Sequence, residues 1–341
     1  MSKELRKEYP YQLECQEAVI KRYNEGLTKH LVVCFTGGGK TFTLIRLIEK
    51  LGFKRVLWLS FQEELVSQSA LAFIKEKFDE SFYNYVKQEG FLEYVSRNDA
   101  FFALKDFKMG CIKAQIFKPN ANVVMGSVMT VHKRLHLLDA NYFDCIICDE
   151  AHLFCSQSAV KVLSHFTPKL LIGATATPHR ADGLSLGDIF DEIVFEYGLD
   201  KGIKDGYAAE LDAIRVKTTV SLDKVKTTAG DFNTKDLSNE VNSLVRNQLI
   251  VTKWKQYCEG RQTIAFCVDI EHALDLAEAF RENGIKSVAV SSDEERTTER
   301  SVNIKRFKEG KIDVITNVGI LVAGFDNPYT GAVIMACPTK S

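Results

Sequence analysis

The sequence predicts an α/β protein with doubly wound parallel sheets, built twice over. Short apolar, β-branched runs alternate with helical stretches through the first half and again through the last third, the pattern of βαβ units. One strand–helix junction carries the glycine-rich turn Thr36-Gly37-Gly38-Gly39-Lys40-Thr41. Another strand runs directly into two adjacent acids, Asp149 and Glu150.

The first expected strand is Leu31–Phe35, apolar throughout as a buried strand should be. From Thr41 to Leu51 the spacing of Thr41, Leu44, Ile45 and Ile48 predicts a helix with one apolar face, stopped by Gly52. Strand, glycine turn and helix together make a phosphate cradle. Glycines let backbone N–H groups curl around phosphate oxygens, and the helix start adds unpaired donors and a positive dipole end. Lys40 would place a point charge on the β/γ-phosphates, and the Thr41 hydroxyl would be a ligand to Mg²⁺. The usual pattern has a glycine five residues before Gly39, where this chain has Cys34.

Further strands are expected at Val56–Ser60, Val123–Met125, Cys145–Cys148 and Leu170–Gly173. Between the second and third, Asp79–Phe107 is aromatic-rich and helical in pattern, and is read as an insertion. Open α/β sheets place their chemistry at the carboxyl ends of strands. At that edge Asp149 can hold Mg²⁺ and Glu150 can orient and deprotonate an attacking water. Thr175 and Thr177 also follow a strand, where hydroxyls could bond across to Asp149 or His152. A stretch from Val216 to Thr234, rich in Lys, Thr, Asp and Gly, reads as a linker or polar hairpin. The last third offers strands at Thr263–Val268, Ser287–Val290, Val314–Thr316 and Val333–Ala336.

Composition narrows the setting. With 341 residues, the chain is long enough for two domains. A formal net charge of −1 means that any nucleic-acid track must be local rather than a bulk effect. The charged start Met1–Lys7 is unlike a signal peptide, and no apolar run approaches membrane-spanning length. Nine scattered cysteines in a chain of this size fit free thiols and a cytoplasmic setting. Cys145 and Cys148 have zinc-like spacing, but residues three apart on a strand point to opposite faces.

These residues resemble the motifs of superfamily 2 helicases, ATPases that depend on DNA or RNA and contain two RecA-like domains. The resemblance covers most of the chain. It is nearest to the DEAH-box group that includes type I and III restriction-enzyme motors, XPB-like repair helicases and Irc-type helicases. Pro10-Tyr11-Gln12 resembles the adenine-reading glutamine motif, with Gln12 standing 28 residues before Lys40 and Gln16 a less well-placed alternative. Thr36–Thr41 resembles motif I, Asp149-Glu150-Ala151-His152 motif II, and Thr175-Ala176-Thr177 motif III. Val124–Thr130 resembles motif Ib, Thr263–Cys267 motif IV and Thr316–Asp326 motif V.

The resemblance implies RecA-like domains over 1–200 and 246–341, the second incomplete at its C-terminus, joined by a connecting segment over 201–245, with the helical insertion at 79–107. It implies ATP and Mg²⁺ as cofactors. Gln12, Thr36, Gly37, Gly38, Gly39, Lys40, Thr41, Gly324 and Asp326 would hold ATP, and Thr41 and Asp149 the metal. Lys40 and Glu150 would be catalytic; His152, Thr175 and Thr177 would couple the site to nucleic acid. Ser127, Thr130, Thr316 and Asn317 would touch the nucleic-acid backbone, with DNA expected ahead of RNA. The family continues past a Pro-Thr-x-Ser turn into motif VI, whose arginines reach the γ-phosphate; this sequence ends in that turn at Ser341. An arginine finger is worth about 10³–10⁵ in rate. The expectation is therefore an ATP-driven helicase or translocase with weak hydrolysis in this chain, the alternative being a module that binds ATP and nucleic acid without unwinding.

Overall fold

The computed structural model describes residues 7–98, 107–178, 186–218, 225–228, 231–293, 295–297, 299–321, 325 and 327–338. The chain divides into two compact units, Met1–Leu211 and Asp212–Ser341.

The first unit runs α1 (Pro10–Asn24), β1 (Lys29–Cys34), α2 (Lys40–Leu51), β2 (Val56–Ser60), α3 (Glu63–Lys77), α4 (Glu80–Glu89), α5 (Phe91–Arg97), β3 (Met109–Lys113), β4 (Ile116–Lys118) and β5 (Val123–Ser127). It continues with α6 (Val128–Lys133), β6 (Cys145–Asp149), α7 (Gln157–His165), β7 (Leu170–Thr175), β8 (Glu192–Tyr197) and α8 (Leu199–Lys204). The eight strands form one sheet in the order β4-β3-β5-β2-β6-β7-β1-β8. Every pairing is parallel except that of β3 with β4.

Both faces of this sheet are covered, which is why β2, β6 and β7 are buried end to end. On one face lie Val19 of α1, Leu44 and Ile48 of α2, and Phe73 of α3. On the other lie Val131 of α6, Val162 of α7, Phe143 and Phe154. Cys145 packs into the first layer and Cys148 into the second, so alternation along β6 sends the two thiols to opposite faces. In the aromatic insertion, α4 and α5 bury Val86, Phe91 and Val95 against the first layer. Residues 99–106 lie outside the described residues.

The second unit has the short pair β9 (Thr227–Thr228) and β10 (Asp231–Phe232), then α9 (Thr234–Val241), α10 (Leu244–Tyr257), β11 (Gln262–Phe266), α11 (Ile270–Glu282), β12 (Ser287–Val290), α12 (Arg300–Lys308), β13 (Val314–Asn317) and β14 (Thr330–Met335). The antiparallel β9–β10 ribbon falls in the polar stretch read as linker or hairpin. Strands β12-β13-β11-β14 make a parallel sheet. One face is covered by Val251, Trp254, Leu276 and Phe280, the other by Phe307 with Ile264 and Ile315. Both units are therefore α/β with parallel or mixed sheets, resembling tandem RecA-like folds.

Candidate functional site

Strand order brings the predicted residues of the first unit together. β7 lies between β1 and β6, with Val33 opposite Thr175 and Ala174 opposite Asp149. All three strands are parallel, so the glycine loop after β1, the acids at the end of β6 and Thr175 share one carboxyl edge.

The loop is shaped by its glycines. Gly37 and Gly39 take left-handed φ values of +85° and +76°, a conformation costly for residues with a Cβ. Around Gly37 nothing lies within 4 Å of where a Cβ would stand, so the space beside this residue is open. Gly38 faces inward instead: a Cβ there would meet Cys34 Sγ at 2.6 Å. Cys34 thus fills the space under the loop. Its thiol is pushed above the ordinary value by burial, with the Lys40 charge acting the other way.

α1 clamps the loop from outside. The Tyr11 hydroxyl donates to the Gly38 carbonyl at 2.8 Å, and Gln12 Nε2 reaches the same oxygen at 3.3 Å. Gln12 Oε1 accepts the Tyr9 backbone N–H at 2.9 Å. Tyr11 stacks on Tyr197 at 4.5 Å, tying α1 to β8. Lys40 Nζ donates to the Cys34 carbonyl at 3.3 Å, and the Thr41 side chain is half-buried at the start of α2. Thr36 is exposed before the turn.

Asp149 is buried and has a precise setting. Ser69 Oγ of α3 donates to its Oδ2 at 2.9 Å, and Trp58 Nε1 of β2 donates to the same oxygen at 3.3 Å. Burial pushes its carboxyl above the ordinary value, while Ser69, Trp58 and the Lys40 charge act in the opposite direction. Both donors fall on one oxygen, a set that suits a carboxylate directing the other toward a cation. Glu150 follows in a left-handed conformation, φ 54° and ψ 59°. For a residue with a Cβ this is strained, and such strain clusters at functional sites. The turn sends the Glu150 side chain to His152, with Oε2 3.4 Å from Nδ1.

His152 Nδ1 also lies 3.0 Å from Thr175 Oγ1. That hydroxyl donates to the Thr177 carbonyl at 3.3 Å and receives the Thr177 N–H at 3.1 Å. The Thr175 hydroxyl thus links the His152 ring to the Thr177 backbone. Glu150, His152, Thr175 and Thr177 thus form a continuous chain of polar contacts.

Other predicted residues lie elsewhere. Ser127 is buried at the end of β5, opposite Ser60. The Thr130 hydroxyl accepts the Ala114 N–H at 3.2 Å, and among the described residues its own proton has no acceptor. In the second unit, Thr316 and Asn317 are fully buried. Thr316 donates to the Ala273 carbonyl at 2.7 Å, and Asn317 Nδ2 to the Ala265 carbonyl at 3.0 Å. Their side chains are occupied inside the unit, so the expected contact with a nucleic-acid backbone does not fit these two groups as they stand. Gly324 and Asp326 lie outside the described residues.

Sequence reasoning missed Ser69, Trp58 and Tyr11 as partners of the site. Trp58 left a signal: an indole N–H in a strand buried on both faces needs an acceptor.

The family described as type III restriction enzyme, res subunit, matches residues 6–180. The chain is 31% identical to the "Putative ATP-dependent helicase IRC3" of Saccharomyces cerevisiae, covering 97% of this chain and 47% of that protein. It is 25% identical to the type I restriction enzyme EcoAI endonuclease subunit of Escherichia coli, covering 77% of this chain and 33% of that one. It spans about half the length of its two fungal relatives. Among solved structures, an HsdR fragment of a type I restriction enzyme from Vibrio vulnificus superposes with a TM-score of 0.64 at 20% identity, covering 97% of this chain and 58% of that one. The type ISP restriction-modification enzyme LlaBIII, bound to DNA, superposes with a TM-score of 0.61 at 15% identity, covering 99% of this chain and 26% of that one. These two likenesses establish the fold. Among the described residues, no helix is long and apolar enough to cross a membrane.

Proposed function

Because the chain belongs to the type III restriction-enzyme res-subunit family, within the superfamily 2 helicase and restriction-type ATPases, we propose that it is an ATPase driven by nucleic acid. The coupled work would be movement along DNA. One observation carries this reading: the open glycine loop, the oriented Asp149 and the Glu150–His152–Thr175 chain share one sheet edge.

The residues present fit Mg-ATP. Gly37 and Gly39 would offer backbone N–H donors, the Gly38 N–H being bonded to the Phe35 carbonyl, and Lys40 needs only to leave the Cys34 carbonyl to reach a phosphate. Thr41 and Asp149 are the residues that would hold Mg²⁺. Gln12, fixed beside the loop, is the candidate for reading adenine. Bound Mg-ATP would supply the phosphoryl group and the charge that polarises it. Glu150 would hold a water and accept its proton, and His152, with Nδ1 3.4 Å from the carboxylate, would help to keep it in place. His152, Thr175 and Thr177 would pass the state of this edge to the neighbouring surface. There Thr130, with a free O–H proton, and the backbone at Ser127 would meet phosphates without reading bases.

The test is ATP turnover measured in parallel with single-stranded DNA, duplex DNA and RNA. Nucleic acid should raise turnover, with DNA the stronger activator. Lys40→Ala should abolish turnover by removing the phosphate charge. Glu150→Gln should keep nucleotide binding and lose at least 100-fold in rate, the scale of a lost general base. Turnover unchanged by all three polymers would overturn the coupling, and wild-type turnover in Lys40→Ala would overturn the site.

A further inference from the structure

The edge of the first sheet opposite the nucleotide loop holds a cleft of about 930 Å³, large enough for more than a single small anion. It is lined by Lys54, Arg55, Lys108 and Lys169, with Asp144 the one carboxylate among its lining residues. A chain of net charge −1 therefore concentrates positive charge here.

The cluster is held in place. Asn122 Nδ2 donates to the Lys54 carbonyl at 3.3 Å, and its Oδ1 accepts the Lys108 N–H at 2.7 Å. Asp144 Oδ2 accepts the Arg55 N–H at 3.1 Å, and Oδ1 pairs with Lys169 Nζ at 3.0 Å. Asn122 and Asp144 thus fasten four basic residues at the starts of β2, β3 and β7. The single carboxylate is neutralised by Lys169. Among the described residues, the ammonium groups of Lys54 and Lys108 have no partner, and the Arg55 guanidinium only covers the Tyr142 ring at 5.1 Å.

Aromatic surface borders the same cleft. Tyr23 and Phe53, both half-buried, meet edge to face at 5.9 Å. Available cations beside half-exposed aromatic side chains, which also pack on the core, suit a single strand with phosphates to neutralise and flat bases to set against rings. An acidic protein segment would use the cations but gain little from the rings.

We propose that this cleft is a second nucleic-acid contact, taking the sugar–phosphate backbone of a single strand through Lys54, Arg55 and Lys108. The proposal rests on the reading that nucleic acid is this chain's partner. The contact is separate from the nucleotide site, because Asp144 and Asp149 stand at opposite ends of β6, about 16 Å apart at ~3.3 Å per residue.

The test compares wild type with Lys54→Ala/Arg55→Ala/Lys108→Ala by fluorescence anisotropy of a labelled 20-mer of thymidylate, over a range of salt. Each phosphate contact on a single strand contributes about 0.7 to the slope of log affinity against log salt, so losing three should lower the slope by about 2. Affinity at fixed moderate salt should fall at least tenfold. Binding of a fluorescent ATP analogue should be unchanged, which shows that the variant is folded. An unchanged slope and affinity in a folded variant would overturn the proposal and leave the cleft to another occupant, such as an acidic protein segment. Displacement of the oligomer from wild type by inorganic tripolyphosphate at equal phosphate concentration would also overturn it, by reducing the cleft to a general anion site. Failure of the motor reading looks different: turnover would ignore nucleic acid while the slope difference persisted.

Discussion

Replacing Gly39 with alanine should cost more than a left-handed alanine ordinarily does, and the excess should disappear when Gln12 is removed. A Cβ on Gly39 would stand 2.5 Å from Gln12 Nε2, and the next heavy atom, Gln12 Cδ, is already 3.8 Å away. The collision is therefore with the end of one side chain. The left-handed φ of +76° alone costs about 1–2 kcal/mol for alanine. To make room, Gln12 must release the Gly38 carbonyl and the Tyr9 N–H, two neutral hydrogen bonds worth about 1 kcal/mol each. Gly39→Ala should thus destabilise the first unit by about 3–4 kcal/mol. Gln12→Ala alone should cost about 2 kcal/mol from the same bonds. The double variant should cost about 3–4 kcal/mol rather than the sum, a coupling of about 2 kcal/mol. Urea unfolding followed by Trp58 emission in a Trp254→Phe background reads this unit alone, because the chain has two tryptophans, one in each unit. Additivity within about 0.5 kcal/mol would refute the reasoning.

Three further outcomes are expected. Ser69→Ala removes the shorter of the two hydrogen bonds on Asp149 and should raise the Mg²⁺ concentration needed for half-maximal turnover about tenfold, with the rate at saturating metal nearly kept; an unmoved midpoint would show that Ser69 does not orient the carboxylate. Glu150→Gly should release about 1 kcal/mol of left-handed strain and raise the melting temperature of the first unit by about 2–4 °C while abolishing turnover; calorimetry showing a lower melting temperature would contradict the strain. The second unit should lose stability as pH falls from 6.5 toward 4. Burial, and then the Arg246 charge, hold His272 near a pKa of about 4 against an ordinary 6.5. The unfolded chain takes up the proton first, so stability present above pH 6.5 is lost below it, by up to about 3 kcal/mol. Denaturation profiles at several pH values should flatten in His272→Gln, and an equally steep variant would assign the loss to other groups.

The central strands were legible because burial on both faces writes itself as an uninterrupted apolar run, as in Val56–Ser60 and Cys145–Cys148. The strands β3, β4 and β8 were not. β8 is a half-exposed edge strand, Glu192–Tyr197, whose acids interrupt any run, and β4 is only three residues long. β14 begins earlier than expected, at Thr330, because an edge strand tolerates the exposed Gly331. The loop, the acid pair and the threonines were readable because their chemistry is local in sequence. Ser69 and Trp58 were not, since their tie to Asp149 spans 80 and 91 residues. Thr316 and Asn317 show what the sequence leaves out in the other direction. Polar side chains at a strand end look available, but here they satisfy the carbonyls of Ala273 and Ala265 within the unit.

The strand order of the first unit also has a consequence for biosynthesis. β1 is the first strand to be made, and its two neighbours, β7 and β8, are the last. Until residues 170–197 have left the ribosome, the strand that carries the glycine loop has no edge to join, although β2, β5 and β6 can already pair among themselves. Contacts this distant in sequence close slowly. The nascent chain should therefore pair β2, β5 and β6 first and complete the edge that carries the glycine loop late, when β7 adds to β6 and β1 to β7.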